Sequence, residues 1–192
     1  MLSAVVQGRL LVGSDEAILQ ANVRVHSSLL DAWAAVSAIA LSAEFSVLYA
    51  LVAVFLLWRL GLGFWSFAPL AFILSTVVEL ALKTVLQQPP VPLGLHRPAS
   101  YPLISVNLAG SFPSGHANRA AFFCLFGAVL LWYRGGLGCR IGAVAAGILV
   151  FPIAYSRVYM GYHWTSDVVA GLLLGAAVAM LVAPPVARRL FR

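Results

Sequence analysis

Five stretches of this chain, about 44–62, 65–86, 114–133, 141–157 and 167–187, are apolar over most or all of the length a helix needs to cross a bilayer, roughly 20 residues. A sixth stretch, about 28–43, is apolar but shorter and begins beside Asp31. In hydrocarbon every backbone polar group must be satisfied within the chain, so consecutive apolar runs of this length fold as helices. The expected fold is all-α: a polytopic membrane helical bundle of six transmembrane helices, or five if 28–43 stays at the interface. Composition agrees, because 62% of the 192 residues are apolar and only 9% charged, too few polar groups to clothe a water-facing surface. Residues 1–192 read as a single transmembrane domain. The net charge of +6 is scattered over short hydrophilic breaks and forms no basic face, which argues against nucleic acid as a partner.

The remaining segments are connections. Residues 1–26, with Arg9, Asp15, Glu16 and Arg24, read as an N-terminal surface segment, and no secretory leader is recognisable in residues 1–13. The longest loop, 87–112, contains Pro89, Pro90, Pro92, Pro98 and Pro102 and is excluded from helix. Six crossings with both ends inside would put Arg9, Arg24, Arg59, Arg134, Arg140, Arg188, Arg189 and Arg192 on the cytoplasmic side, as the positive-inside rule asks. Lys83, Arg97, Arg119 and Arg157 then gather at the opposite face, where orientation gives them no reason to be. Trp58, Trp65, Trp132, Tyr133 and Trp164 fall near span ends, as interfacial aromatics do. Gly171 and Gly175 make a small-xxx-small face for close helix approach, and Pro184–Pro185 are expected to end the last span. Cys124 and Cys139 are too far apart along the chain's helices for a disulfide.

Three polar sites converge on the extracytoplasmic face. The first is Lys83, followed in the long loop by His96, Arg97 and Pro98; the second is Pro113-Ser114-Gly115-His116, opening a span. The third runs from Ser156 to Asp167, SRVYMGYHWTSD, across the turn between the last two spans. Together they resemble the three signature motifs of the type 2 phosphatidic acid phosphatase (PAP2) superfamily. The second and third motifs match at each expected position: PSGH, then Ser-Arg, five residues, His163, three residues, Asp167. The first departs from the pattern, in which six residues separate Lys from Arg-Pro. Here Pro90 stands in the arginine slot and thirteen residues separate Lys83 from Arg97. Either a loop insertion still delivers Arg97 to the site, or another cation such as Arg119 makes that contact.

The chemistry is physically coherent. Phosphoryl transfer needs a cradle for the equatorial oxygens, an in-line nucleophile and an acid for the leaving oxygen. Ser114 and Gly115 stand at a helix start, where free N–H groups favour an anion. Lys83, Arg97 and Arg157 would add charge-assisted hydrogen bonds. The resemblance implies that His163 attacks phosphorus, that Asp167 one turn later orients it, and that His116 protonates the leaving group. It also implies an integral membrane lipid phosphatase, in a bacterial-type inner membrane, with no cofactor and no metal. A polyprenyl diphosphate such as undecaprenyl diphosphate is the first expected substrate, and phosphatidate or phosphatidylglycerophosphate the next. A phosphotransferase using the same phosphohistidine, and a non-enzymatic transporter whose buried charges line a path, are the competing classes. Glu79, four residues before Lys83, reads as its structural ion-pair partner, and Tyr159 and Tyr162 as interface anchors.

Overall fold

The computed structural model describes residues 12–86, 88–97 and 110–192. Arg9, Pro98, Pro102 and half of the expected 87–112 loop lie outside the described residues. Among those described there are helices and no strands: α1 (Val12–Val23), α2 (Ser28–Ala40), α3 (Ala43–Arg59), a 3-10 segment (Gly63–Leu70) continued by α4 (Ala71–Leu86), a 3-10 turn (Leu93–Leu95), α5 (Gly115–Arg134), α6 (Leu137–Tyr159) and α7 (Thr165–Leu190). Among the described residues three helical units, Gly63–Leu86, Leu137–Tyr159 and Thr165–Leu190, are long and apolar enough to cross a membrane, and α2 and α3, bent by 60° at their junction, are so only when taken together, as a broken span or a re-entrant loop.

The stretch 28–43 is therefore not a crossing of its own. Its helix α2 has 13 residues, about 20 Å at ~1.5 Å per residue, short of the ~30 Å hydrocarbon core. Serines open both halves of the bent pair: Ser27 Oγ accepts from Leu30 N and Ser42 Oγ from Phe45 N, each at 3.4 Å. Such caps contribute about 1 kcal/mol each. α5 is more polar than its neighbours because it is packed among them, with Ala117, Asn118, Ala120 and Phe122 fully buried. Exposed apolar residues lie instead on the outer helices, for example Leu51, Phe55, Phe151 and Leu181.

Contacts fix the two ends of the bundle. At one end Lys83 of α4 bonds the Pro113 carbonyl, Ser114 before α5 bonds Asp167 of α7, and Tyr159 of α6 bonds Asp31 of α2. At the other, Arg189 of α7 lies 4.9 Å over the Trp65 ring, and Arg140 5.6 Å from the Trp132 ring. The N-terminal segment corrects the expected topology. Asp15 of α1 is buried and accepts hydrogen bonds from the Ser166 amide (3.0 Å) and hydroxyl (2.5 Å). α1 and Arg24 thus sit at the motif end, opposite the C-terminus, with α1 docked as a helix against α7. The distal end keeps Arg59, Arg134, Arg140, Arg188, Arg189 and Arg192.

Two further features concern α7. A Cβ at Gly171 would overlap the Ser114 carbonyl oxygen, and one at Gly175 the Asn118 carbonyl oxygen, so α5 and α7 touch backbone to backbone there. Pro184 and Pro185 do not end the helix, which continues to Leu190. Two prolines remove two amide donors, whereas Ala183, Val186 and Ala187 beside them are completely buried. Packing against the core that includes Ala50, Leu57 and Phe72 outweighs the lost bonds.

Candidate active site

The turn between α6 and α7 and the start of α5 are locked together. The Ser114 amide donates to the Asp167 carbonyl at 2.9 Å, so the helix start carrying Ser114, Gly115 and His116 is fixed against the turn carrying His163. Gly161, at φ 73°, lies against the Leu95 carbonyl and lets the loop pack onto this turn. The Arg97 amide donates to the Met160 carbonyl at 3.0 Å, and Trp164 Nε1 to the Pro89 carbonyl at 2.9 Å.

His163 Nδ1 donates to Asp167 Oδ2 at 3.3 Å, the carboxylate being fully buried and the imidazole 15% exposed. The same Oδ2 accepts the Trp164 amide at 3.0 Å, so Asp167 both caps α7 and orients the ring. With Nδ1 as donor, Nε2 of the neutral ring carries the lone pair. His116 donates from Nε2 to the Ala38 carbonyl at 3.1 Å.

Basic groups surround this pair. Lys83 Nζ donates to the Pro113 and Ser111 carbonyls at 2.6 and 3.1 Å, and lies 3.9 Å from Glu79 Oε1. Arg157, 3% exposed, spends Nε and Nη2 on Ser156, Ser37 and the Ala34 carbonyl at 2.9–3.0 Å. Among the described residues no hydrogen bond from its Nη1 is formed. The Ser114 hydroxyl is buried with no partner among the described residues, beside the open amides of α5. A helix start, an unused hydroxyl, a lysine and an arginine can together hold a tetrahedral anion.

Arg97 is differently employed. Its guanidinium donates to Tyr159 Oη (2.9 Å) and to the Asn22 and Val25 carbonyls (2.7 and 2.5 Å), and lies 3.8 Å from Asp31. These contacts tether the end of α1 to α6, and among the described residues none reaches His116 or His163. Tyr159, expected as an interface anchor, is buried; it takes this cation on its ring face at 4.0 Å and donates to Asp31 at 2.7 Å.

Several participants escaped sequence reasoning. Glu79 is more than the ion-pair partner of Lys83. It is 4% exposed, lies 3.9 Å from Arg119 Nη1 and accepts from Asn118 Nδ2 at 3.2 Å. It also fills the space a Cβ at residue 115 would take, which explains the glycine there. An acidic residue one turn before Lys83 was the available signal for it; Ser37 and the α2 carbonyls left none.

A family model described as the PAP2 superfamily matches residues 64–190. The chain is similar to the decaprenylphosphoryl-5-phosphoribose phosphatase of Mycobacterium tuberculosis, 33% identical over 116 residues that cover 58% of this chain and 55% of that one. It is 41% identical to the undecaprenyl-diphosphatase of Sulfolobus acidocaldarius over 71 residues, 37% of this chain and 31% of the relative. With phosphatidylglycerophosphatase B of Bacillus subtilis it shares 32% over 91 residues, 45% and 43% of the two chains. The match thus spans about half, or less, of the length of these curated relatives. A solved structure, described as the first transmembrane PAP2 type phosphatidylglycerolphosphate phosphatase from Bacillus subtilis, superposes with a TM-score of 0.75. It covers 94% of this chain and 88% of that one at 22% identity, a likeness of fold.

Proposed function

The chain belongs to the PAP2 superfamily, and from that premise we propose that it is an integral membrane lipid phosphatase acting on a lipid phosphate or diphosphate. The observation that carries this is the Ser114–Asp167 bond, which holds a helix-start anion site against a histidine oriented by a buried carboxylate. In this reading His163 Nε2 attacks phosphorus, and the Nδ1–H···Asp167 bond stabilises the ring as it gains positive character. His116 protonates the leaving oxygen, and water then cleaves the phosphohistidine. Ser114, the Gly115 amide, Lys83 and Arg157 hold the phosphoryl oxygens, so side chains supply the positive charge and no cofactor is invoked.

The substrate proposed first is a polyprenyl diphosphate, such as undecaprenyl diphosphate, in line with the polyprenyl names of two of the relatives. Six arginines at the distal end favour that end as cytoplasmic. The site then faces outward, in a plasma membrane of bacterial type. The test is a phosphate-release screen of the detergent-purified protein across polyprenyl diphosphates, phosphatidate and phosphatidylglycerophosphate, with chelator and without added metal. Release from the polyprenyl substrate that survives chelation is expected. Preference for a glycerophospholipid redirects the substrate assignment; loss of release on chelation overturns the metal-independent mechanism.

Two kinetic outcomes follow. Because His163 acts neutral and His116 protonated, rate against pH is bell-shaped, and a profile rising steadily to alkaline pH removes the acid–base pairing. Arg157→Ala is expected to raise KM roughly 10- to 100-fold, the worth of one charged hydrogen bond to phosphate. Arg97 would join the cradle only by releasing its partners on α1, so Arg97→Ala is expected to change KM much less. The reverse ranking would return Arg97 to the cradle as the stretched counterpart of the first-motif arginine.

A further inference from the structure

Helix α2 carries none of the motif residues, yet three charged or titratable side chains of the site end on it or on Leu41, the residue that follows it. Arg157 reaches the Ala34 carbonyl, His116 the Ala38 carbonyl at 3.1 Å and Arg119 Nε the Leu41 carbonyl at 2.8 Å. The last two acceptors exist because the helix breaks. In a continuous helix the Ala38 and Leu41 carbonyls would accept from the amides four residues on, Ser42 and Phe45. Instead the Ser42 amide donates to the Ile39 carbonyl at 3.0 Å, and the Phe45 amide to the Ser42 hydroxyl at 3.4 Å. The 60° bend between α2 and α3 thus leaves two carbonyls without helical partners. These are the two that His116 and Arg119 occupy.

We propose that the α2–α3 break is a positioning device for proton transfer, holding His116 with its proton on Nε2 and so making Nδ1 the nitrogen that serves the leaving group. A carbonyl oxygen can only accept, so the Ala38 contact requires a proton on Nε2. In a neutral ring Nδ1 is then the base, and in the charged ring it is the acid. The proposal rests on the phosphatase reading above for its chemistry. As the P–O bond to the leaving group breaks, that oxygen takes the Nδ1 proton and the ring relaxes to the Nε2–H form. When water attacks the phosphohistidine, Nδ1 takes one water proton as the P–N bond breaks, which restores the acid. Arg119, anchored through Nε to Leu41 and facing Glu79, is held one turn beyond His116 by the same break and acts as a positioning residue.

The experiment reads the tautomer directly. The chain has four histidines, so nitrogen spectra of histidine-labelled protein in detergent can be assigned to His116 by difference against His116→Gln. At a pH where the ring is neutral, Nε2 is expected to show a protonated and Nδ1 an unprotonated signal; the opposite pattern overturns the proposal. The double variant Leu41→Ala with Ser42→Ala removes the hydroxyl that competes for the Phe45 amide. It is expected to mix the tautomers and lower kcat roughly 10- to 100-fold, the cost of misplacing a catalytic group, with KM nearly unchanged. If the double variant melts early, Ser42→Ala alone gives the same readout in smaller measure. An unaltered tautomer and kcat in a variant that folds overturns the role of the break. A wild-type protein that releases no phosphate from any lipid tested sinks the functional reading, while the nitrogen spectra still decide the placement of His116.

Discussion

Alanine in place of His163 is expected to abolish phosphate release, by on the order of ten-thousand-fold or more, because removing a nucleophile leaves binding with nothing to bind for. The orientation of the imidazole is set by a fully buried carboxylate, through Nδ1 and Asp167 Oδ2 at 3.3 Å. That bond leaves Nε2 to attack. Asp167 also holds the Trp164 amide, so replacing Asp167 disturbs the start of α7 as well as the ring. The His163 substitution is therefore the cleaner measurement. Its melting temperature should be followed alongside, since the carboxylate it strands costs about 1–3 kcal/mol when a buried partner is lost. A folded His163→Ala protein that turns over near the normal rate would end the nucleophile assignment.

The largest effect on stability is expected at Gly175. A Cβ there would overlap the Asn118 carbonyl oxygen and crowd the Phe122 amide, and both belong to the rigid backbone of α5. Neither helix can yield without parting from the other, so Gly175→Ala is expected to cost about 3 kcal/mol, the upper range for overpacking. Gly171→Ala strikes the Ser114 carbonyl and should also lower activity, because Ser114 is bonded to Asp167. Thermal unfolding in detergent checks both: a Gly175→Ala protein melting with the unsubstituted one refutes the close packing. Comparable stability losses with unequal activity losses, greater at Gly171, are the pattern expected.

Legibility in the sequence followed the range of the interaction. The helices matching 44–62, 65–86, 114–133, 141–157 and 167–187 were visible because a hydrocarbon solvent imposes its requirement residue by residue. His163 and Asp167 are four apart on one turn, and Ser114 and Gly115 directly open a helix, so their geometry is local. The two prolines near the end of α7 misled for the converse reason. Their cost is local and legible, while the burial of Ala183, Val186 and Ala187 that offsets it is not.

The apolar stretches with charged residues set at their ends thus pointed by themselves to a helical bundle of membrane type and to the family's motifs, because both are written in side-chain chemistry at short spacing. Tertiary structure alone decided that the short sixth stretch forms a helix bent by 60° from the next one and that α1 docks at the motif end. It also decided that Arg97 bonds the N-terminal segment and that Arg157 and His116 bond carbonyls of α2. Those arrangements join residues 75 apart, as Arg97 to Asn22, or 123 apart, as Arg157 to Ala34. Their acceptors are backbone carbonyls, which every residue possesses and which no sequence pattern marks.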